Sequence, residues 1–219
     1  MSLFRSSLLL IAWCAGCASA REEIANDKAD AAVGGGSDAR DPDAGQVTGT
    51  DSGSTGGCAF SGVLATWTFS GETGNQASTA AASSATGVTA SVVQRSATLT
   101  AVSGANSINA SNWPAAAARD TAKYYTLTIT PPATCMVALT TAAIDAKASG
   151  TGPASAVVST SVDAFAQTVA VSTAAAGTVT LSTSPTSNAI ELRVYGYAAT
   201  GTAGTLRLQT TLTINGTIQ

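Results

Sequence analysis

Tyr125, Leu127 and Ile129 alternate with Tyr124, Thr126 and Thr128, and the same period of two returns twice further along the chain. Ile190, Leu192 and Val194 alternate with Glu191, Arg193 and Tyr195. Leu206, Leu208, Leu212 and Ile214 share a parity opposite Arg207, Gln209, Thr211 and Thr213. Successive side chains of a strand point to opposite faces, so this alternation predicts half-buried β-strands. Weaker runs of the same kind cover 64–69, 88–93, 97–102, 135–141, 156–162, 168–172 and 178–182. Clusters of Gly, Pro, Asn or Ser punctuate them at 71–75, 104–112, 131–132, 150–153, 184–188 and 201–204, where turns are expected. About ten short strands with frequent turns predict an all-β, antiparallel β-sandwich over residues 58–219. The one helical candidate, 115–122 behind Pro114, has room for two turns at most.

The chain ahead of these strands has a different character. Arg5 and the apolar run Leu8–Trp13 are followed by the small residues Ala15-Gly16-Cys17-Ala18-Ser19-Ala20. That order is an export signal, too short for a stable membrane span. Cleavage after Ala20 at Ala18-Ser19-Ala20 would release a secreted protein. Cys14-Ala15-Gly16-Cys17 is instead similar to a bacterial lipobox, with Cys14 where leucine is usual, and would leave residues 1–16 behind and lipid on Cys17. Residues 21–57 hold eight acids against three bases, with Gly34-Gly35-Gly36 and a Gly/Ser/Thr run to Gly57. Their only bulky aliphatic residues are Ile24, Val33 and Val47, too few to offset ordering entropy. The expectation is a disordered tether over 17–57, which favours the lipid-anchored reading.

Composition narrows the chemistry. The 219 residues contain no histidine and carry a net charge of −3. This closes imidazole metal sites and histidine-based nucleophile relays, and it provides no basic footprint for nucleic acid. Residues 58–219 contain 35 Ala, 30 Thr and 18 Ser, so the core must be built from small side chains and a few aromatics. Of the four cysteines, Cys14 leaves with the signal and Cys17 takes lipid, so Cys58 and Cys135 remain. In an oxidising compartment an even pair predicts a disulfide, and without histidine or a nearby carboxylate it is a poor metal site.

Several short motifs occur in order. Tyr124-Tyr125-Thr126-Leu127-Thr128-Ile129-Thr130 precedes Ser149-Gly150-Thr151-Gly152-Pro153, Ser161-Val162-Asp163-Ala164-Phe165 and Leu192-Arg193-Val194-Tyr195-Gly196-Tyr197. Gly204-Thr205-Leu206-Arg207-Leu208 and Leu212-Thr213-Ile214-Asn215-Gly216-Thr217-Ile218 close the chain. The series, over roughly 64–218, resembles a β-sandwich family of bacterial secreted and surface-sorted proteins. That resemblance implies a jelly roll akin to carbohydrate-binding modules. Two departures stand out. Ala164 replaces a glycine suited to a positive-φ turn. Gln209 replaces an acid that in related jelly rolls helps hold a structural calcium, which needs six to eight oxygen ligands.

Glu72, Asp120, Asp145, Asp163 and Glu191 are the carboxylates of the domain, and no spacing singles out an acid–base pair. No catalytic residue, metal or cofactor is therefore assigned. Trp67 shares a strand parity with Phe69 and is expected in the core. Trp113, in the loop-like Asn112-Trp113-Pro114, is expected to be exposed; with Tyr197 it is the candidate ligand contact. The reading is a non-catalytic lipoprotein, membrane-bound through Cys17 at the cell envelope, probing a glycan. Its alternative is an adhesive or structural envelope protein that recognises protein partners.

Overall fold

The computed structural model describes residues 57–219. The expected export signal, the expected lipidation at Cys17 and the expected tether up to residue 56 lie outside the described residues. Sixteen strands follow in order: β1 (Phe60–Thr68), β2 (Ser78–Thr79), β3 (Ser83–Ser84), β4 (Thr89–Ala90), β5 (Val93–Arg95), β6 (Thr100–Ala101), β7 (Ser107–Ser111) and β8 (Tyr124–Thr130). They continue with β9 (Val137–Ile144), β10 (Ala146–Ala148), β11 (Pro153–Thr160), β12 (Val169–Val171), β13 (Gly177–Thr180), β14 (Ile190–Ala199), β15 (Leu206–Gln209) and β16 (Thr211–Ile218). A single 3₁₀ turn, Ser161–Asp163, follows β11.

The fold is an all-β sandwich, and the strands pair antiparallel. A seven-stranded sheet runs β12-β11-β14-β8-β5-β2, with β4 also paired to β8. A five-stranded sheet, β13-β9-β16-β1-β3, continues into a four-stranded one, β10-β15-β7-β6. The continuity is covalent, because β9 runs into β10 through Asp145 and β15 runs into β16 through Thr210. Ala143 pairs with Thr213, but Ala146 pairs with Leu208. Three steps along one strand therefore match five along the other, and the ribbon bends. Thr210 absorbs the excess at φ 58°. Asp145 clasps the bend. Its carbonyl accepts the Gln209 backbone N–H at 2.9 Å, and its carboxylate accepts the Thr210 hydroxyl at 2.7 Å.

The alternating parities become the core. Tyr125, Leu127, Ile129, Ile190, Leu192 and Val194 meet Leu206, Leu208, Leu212 and Ile214 in one apolar cluster. Trp67 is fully buried and donates its indole N–H to the Ser91 carbonyl at 2.9 Å, as its parity with Phe69 predicted. The buried Tyr125 hydroxyl donates to the Leu206 carbonyl, tying the seven-stranded sheet to the four-stranded one. Burial pushes that phenol well above its ordinary pKa. Cys58 and Cys135, 77 positions apart, are joined as a disulfide that fastens the start of β1 to the approach to β9.

Three expectations need correction. The strand count rises from about ten to sixteen, since runs such as 88–93 split into β4 and β5 and two-residue strands leave no periodic trace. The supposed turn at 104–112 contains β7, every residue of which is buried. Ile108 and Ala110 face the core, while on the other side the Ser107 hydroxyl and the Asn109 amide donate to the carbonyls of Gly104 and Ser103. The Arg95 guanidinium ties the loop at 74–76 to β7 by donating to the carbonyls of Gly74, Asn75, Gln76 and Asn109. Finally, 115–122 is not helical. The Pro114 and Ala116 carbonyls accept the N–H groups of Ala199 and Ala198, so they are not used in helical bonds.

Candidate functional site

The polar parity of β8 and β14 builds the most differentiated surface of the protein. Antiparallel pairing sets Tyr124 opposite Tyr195, Thr126 opposite Arg193 and Thr128 opposite Glu191. On the other side of β14, Ser159 of β11 faces Arg193 and Ser155 faces Tyr197. One face thus carries aromatic rings, hydroxyls, a cation and a carboxylate. The apolar parity of the same strands holds the face rigidly from beneath.

Arg193 organises the centre. Its guanidinium binds both oxygens of Glu191, Nε to Oε1 at 2.7 Å and Nη2 to Oε2 at 3.2 Å. This is the only ion pair among the described residues. The guanidinium plane also lies 4.2 Å from the centre of the Tyr124 ring and 3.9 Å from that of Phe165. Such stacking suits arginine because its planar cation is weakly hydrated. Thr126 donates a further hydrogen bond to Glu191 at 2.8 Å. Burial alone would raise the Glu191 carboxyl, but the bonds from Arg193 and Thr126 and the Arg193 charge outweigh it. The group is held below its ordinary value. Glu191 is therefore an ionised acceptor at neutral pH and has no proton to give as a general acid.

Two loops complete the surface. Ala164 and Phe165 both adopt left-handed backbone, at φ 55° and 63°, directly after the 3₁₀ turn. This turn throws the Phe165 ring onto Arg193. The positive φ that the missing glycine would have supplied is kept, with alanine bearing the strain. From the 115–123 loop, Arg119 lies 4.9 Å from the Tyr195 ring centre and donates to Ser159 Oγ at 3.2 Å. Tyr195, packed 5.6 Å from Tyr124, is thereby buried, while Tyr124 and Tyr197 keep part of their surface in solvent.

The two residues expected to contact ligand are not brought together. Tyr197 does lie on this face, two positions from Tyr195. Trp113 is only 3% exposed, which corrects its expected exposure. Asn112 at φ 69° turns the chain inward after β7. The indole then packs 5.5 Å from Tyr125 and donates to the Ala110 carbonyl at 2.9 Å. Asn-Trp-Pro has loop composition, but here it closes the end of the core. Tyr124, Arg193 and Glu191 were visible as the polar parity of two strands; their meeting depended on which strands pair.

The position discussed for calcium has a different donor set. Gln209 Nε2 donates to both Asp145 carboxylate oxygens, at 3.3 and 3.2 Å. An amide N–H donor facing the one available carboxylate does not fit a cation that requires several oxygen ligands. These bonds serve the bend of the ribbon. The chain matches no protein-family model, and comparisons with curated proteins and with solved structures return no match.

Proposed function

We propose that this protein is an exported, lipid-anchored binding protein of the cell envelope, which captures a glycan on the outer face of β8 and β14 without transforming it. The observation that carries this reading is the combination of partly exposed Tyr124 and Tyr197 with a fixed Arg193–Glu191 pair on a rigid sheet. An aromatic ring offers a flat apolar surface to the C–H face of a sugar. A bidentate ion pair flanked by hydroxyls supplies oriented donors and acceptors for sugar hydroxyls, at little ordering cost on binding. The family resemblance of the motif series points the same way.

A glycan-array screen of the full chain tests the reading, followed by Tyr197→Ala on any hit. Loss of binding by about tenfold or more is expected, equivalent to about 1.4 kcal/mol. A blank array, or neutral-glycan hits that Tyr197→Ala leaves untouched, would remove the tyrosine face from the account.

A second reading rests on a different face. On the five-stranded sheet, Thr66 pairs with Thr213 and Thr68 with Thr211, while Asn215 Nδ2 bonds to Thr141 Oγ1 at 3.1 Å. This Thr-rich side suits a protein partner. Capture of envelope proteins by the wild type but not by Thr213→Lys would favour it.

A further inference from the structure

The outer side of the four-stranded sheet places two cations against each other. Lys147 of β10 pairs directly with Arg207 of β15. Like charges at opposed positions of an antiparallel pair repel, since their Cβ atoms are only about 5 Å apart. Nothing in the described protein offsets this. Neither side chain makes an ion pair there, and the buried Arg207 Nε has no hydrogen-bond partner. The nearest strand neighbour on the other side, Asn109, also has an unpartnered buried side-chain oxygen, so it does not satisfy Arg207 either.

The pair also lines a formed cavity. Lys147, Ala148, Ser149, Thr205 and Arg207 enclose about 210 Å³, several times the roughly 30 Å³ share of one water. Its far wall is held by reciprocal bonds between Ser149 and Thr205. The Ser149 N–H donates to the Thr205 carbonyl, and the Thr205 N–H donates to Ser149 Oγ, each at 2.9 Å. That wall depends on glycine. A Cβ on Gly152 would meet the Thr205 carbonyl oxygen at 2.2 Å, and one on Gly204 would meet that of Thr151 at 2.0 Å. The cavity is therefore set by backbone packing, with two cations at its rim.

We propose that Lys147 and Arg207 form an oxyanion site, which takes a sulfate or carboxylate group carried on an acidic polysaccharide. Arginine presents parallel N–H donors to such a group, and lysine adds a point charge. The bound anion would remove the Lys147–Arg207 repulsion and give the stranded Nε an acceptor. The site lies on a different sheet from the tyrosine face, so either can fail without the other. Residues 58–219 carry six bases against five acids, too small a net charge for diffuse attraction to a polyanion, which leaves a local site as the source of any binding.

The test measures binding of the full chain to immobilised dextran sulfate, polygalacturonate and neutral dextran. At least one acidic polymer should bind, with affinity reduced about tenfold in both Lys147→Gln and Arg207→Gln. Dextran sulfate alone would identify a sulfate ester as the ligand, polygalacturonate alone a uronate, and both the shared chemistry. Free sulfate should compete better than chloride at equal ionic strength. Binding to neither acidic polymer, equal binding to neutral dextran, or full binding by Lys147→Gln would overturn the proposal. Lys147 is exposed, so its variant reports even if Arg207→Gln folds poorly.

Discussion

Arg193 and Arg207 occupy equivalent positions, each on the polar parity of a strand whose other parity is core. Arg193 has Glu191 two residues away, Thr126 and Ser159 opposite, and two aromatic rings against its plane. Arg207 has a lysine opposite on one side and Asn109 on the other, with a buried Nε that bonds to nothing. The same residue on the same kind of parity is a structural cation in one sheet and an open donor in the other. What separates them is first the residue two positions back, Glu191 against Thr205, and then register, which sets Thr126 and Ser159 across from one and Lys147 and Asn109 across from the other. Arg95 shows a third outcome, a guanidinium bound to four backbone carbonyls that holds a loop over β7.

The contrast is sharpest when the underlying core is taken as reference. Leu208 adjoins Arg207 but points into the sandwich and is 1% exposed. Leu208→Ala should cost about 2–5 kcal/mol through lost transfer energy and a residual cavity. Chemical denaturation gives the value directly; a loss below 1 kcal/mol would mean the alternation does not mark the core. Breaking the disulfide comes next. With Cys58 and Cys135 77 positions apart, reduction should lower stability by about 2–4 kcal/mol. Thermal melts with and without reductant, compared with the Cys58→Ser/Cys135→Ser double variant, check this.

Glu191→Gln should cost about 1 kcal/mol, because it leaves a half-buried Arg193 without its counter-charge. The folded Glu191 carboxyl is depressed relative to the unfolded chain, so its contribution is complete above about pH 4.3 and fades as pH falls through the folded value. The gap between wild type and Glu191→Gln should therefore be full at pH 7 and close in acid. A gap that widened in acid would contradict the ion pair. Ala164→Gly should work in the opposite direction, gaining up to about 1 kcal/mol by relieving left-handed backbone in the turn that seats Phe165 on Arg193. A rise of a few degrees in Tm is the expected readout. Arg207→Gln should be the mildest, within about 0.5 kcal/mol of wild type in either direction. A loss as large as that of Glu191→Gln would show that the two arginines are equally structural.

Period-two alternation made the sandwich and most of its core legible, because burial of one sheet face imposes that period on the residues themselves. Trp67 and the Leu206–Ile214 series followed from it, and the Cys58–Cys135 bridge followed from counting cysteines on the expectation of export. β7 escaped because Ser107-Ile108-Asn109-Ala110-Ser111 has the composition of a loop; its Ser107 and Asn109 side chains are buried against the carbonyls of Gly104 and Ser103, in the segment just before it. Trp113 escaped for the same reason in reverse, since an inward turn at Asn112 is a matter of backbone conformation that side-chain type does not dictate. Glu191, Arg193, Tyr195 and Tyr197 were visible as one polar parity, but their partners Tyr124, Ser159, Phe165 and Arg119 come from remote segments. Likewise Lys147 and Arg207 are sixty positions apart, and only the bend at Asp145 and Thr210 fixes which residues of β10 and β15 stand opposite each other. Local pattern determined which side of each strand meets water and set Glu191 beside Arg193 on one face, since both depend on neighbouring residues alone; pairing and register, which depend on the whole chain closing around one core, decided which residues meet across strands.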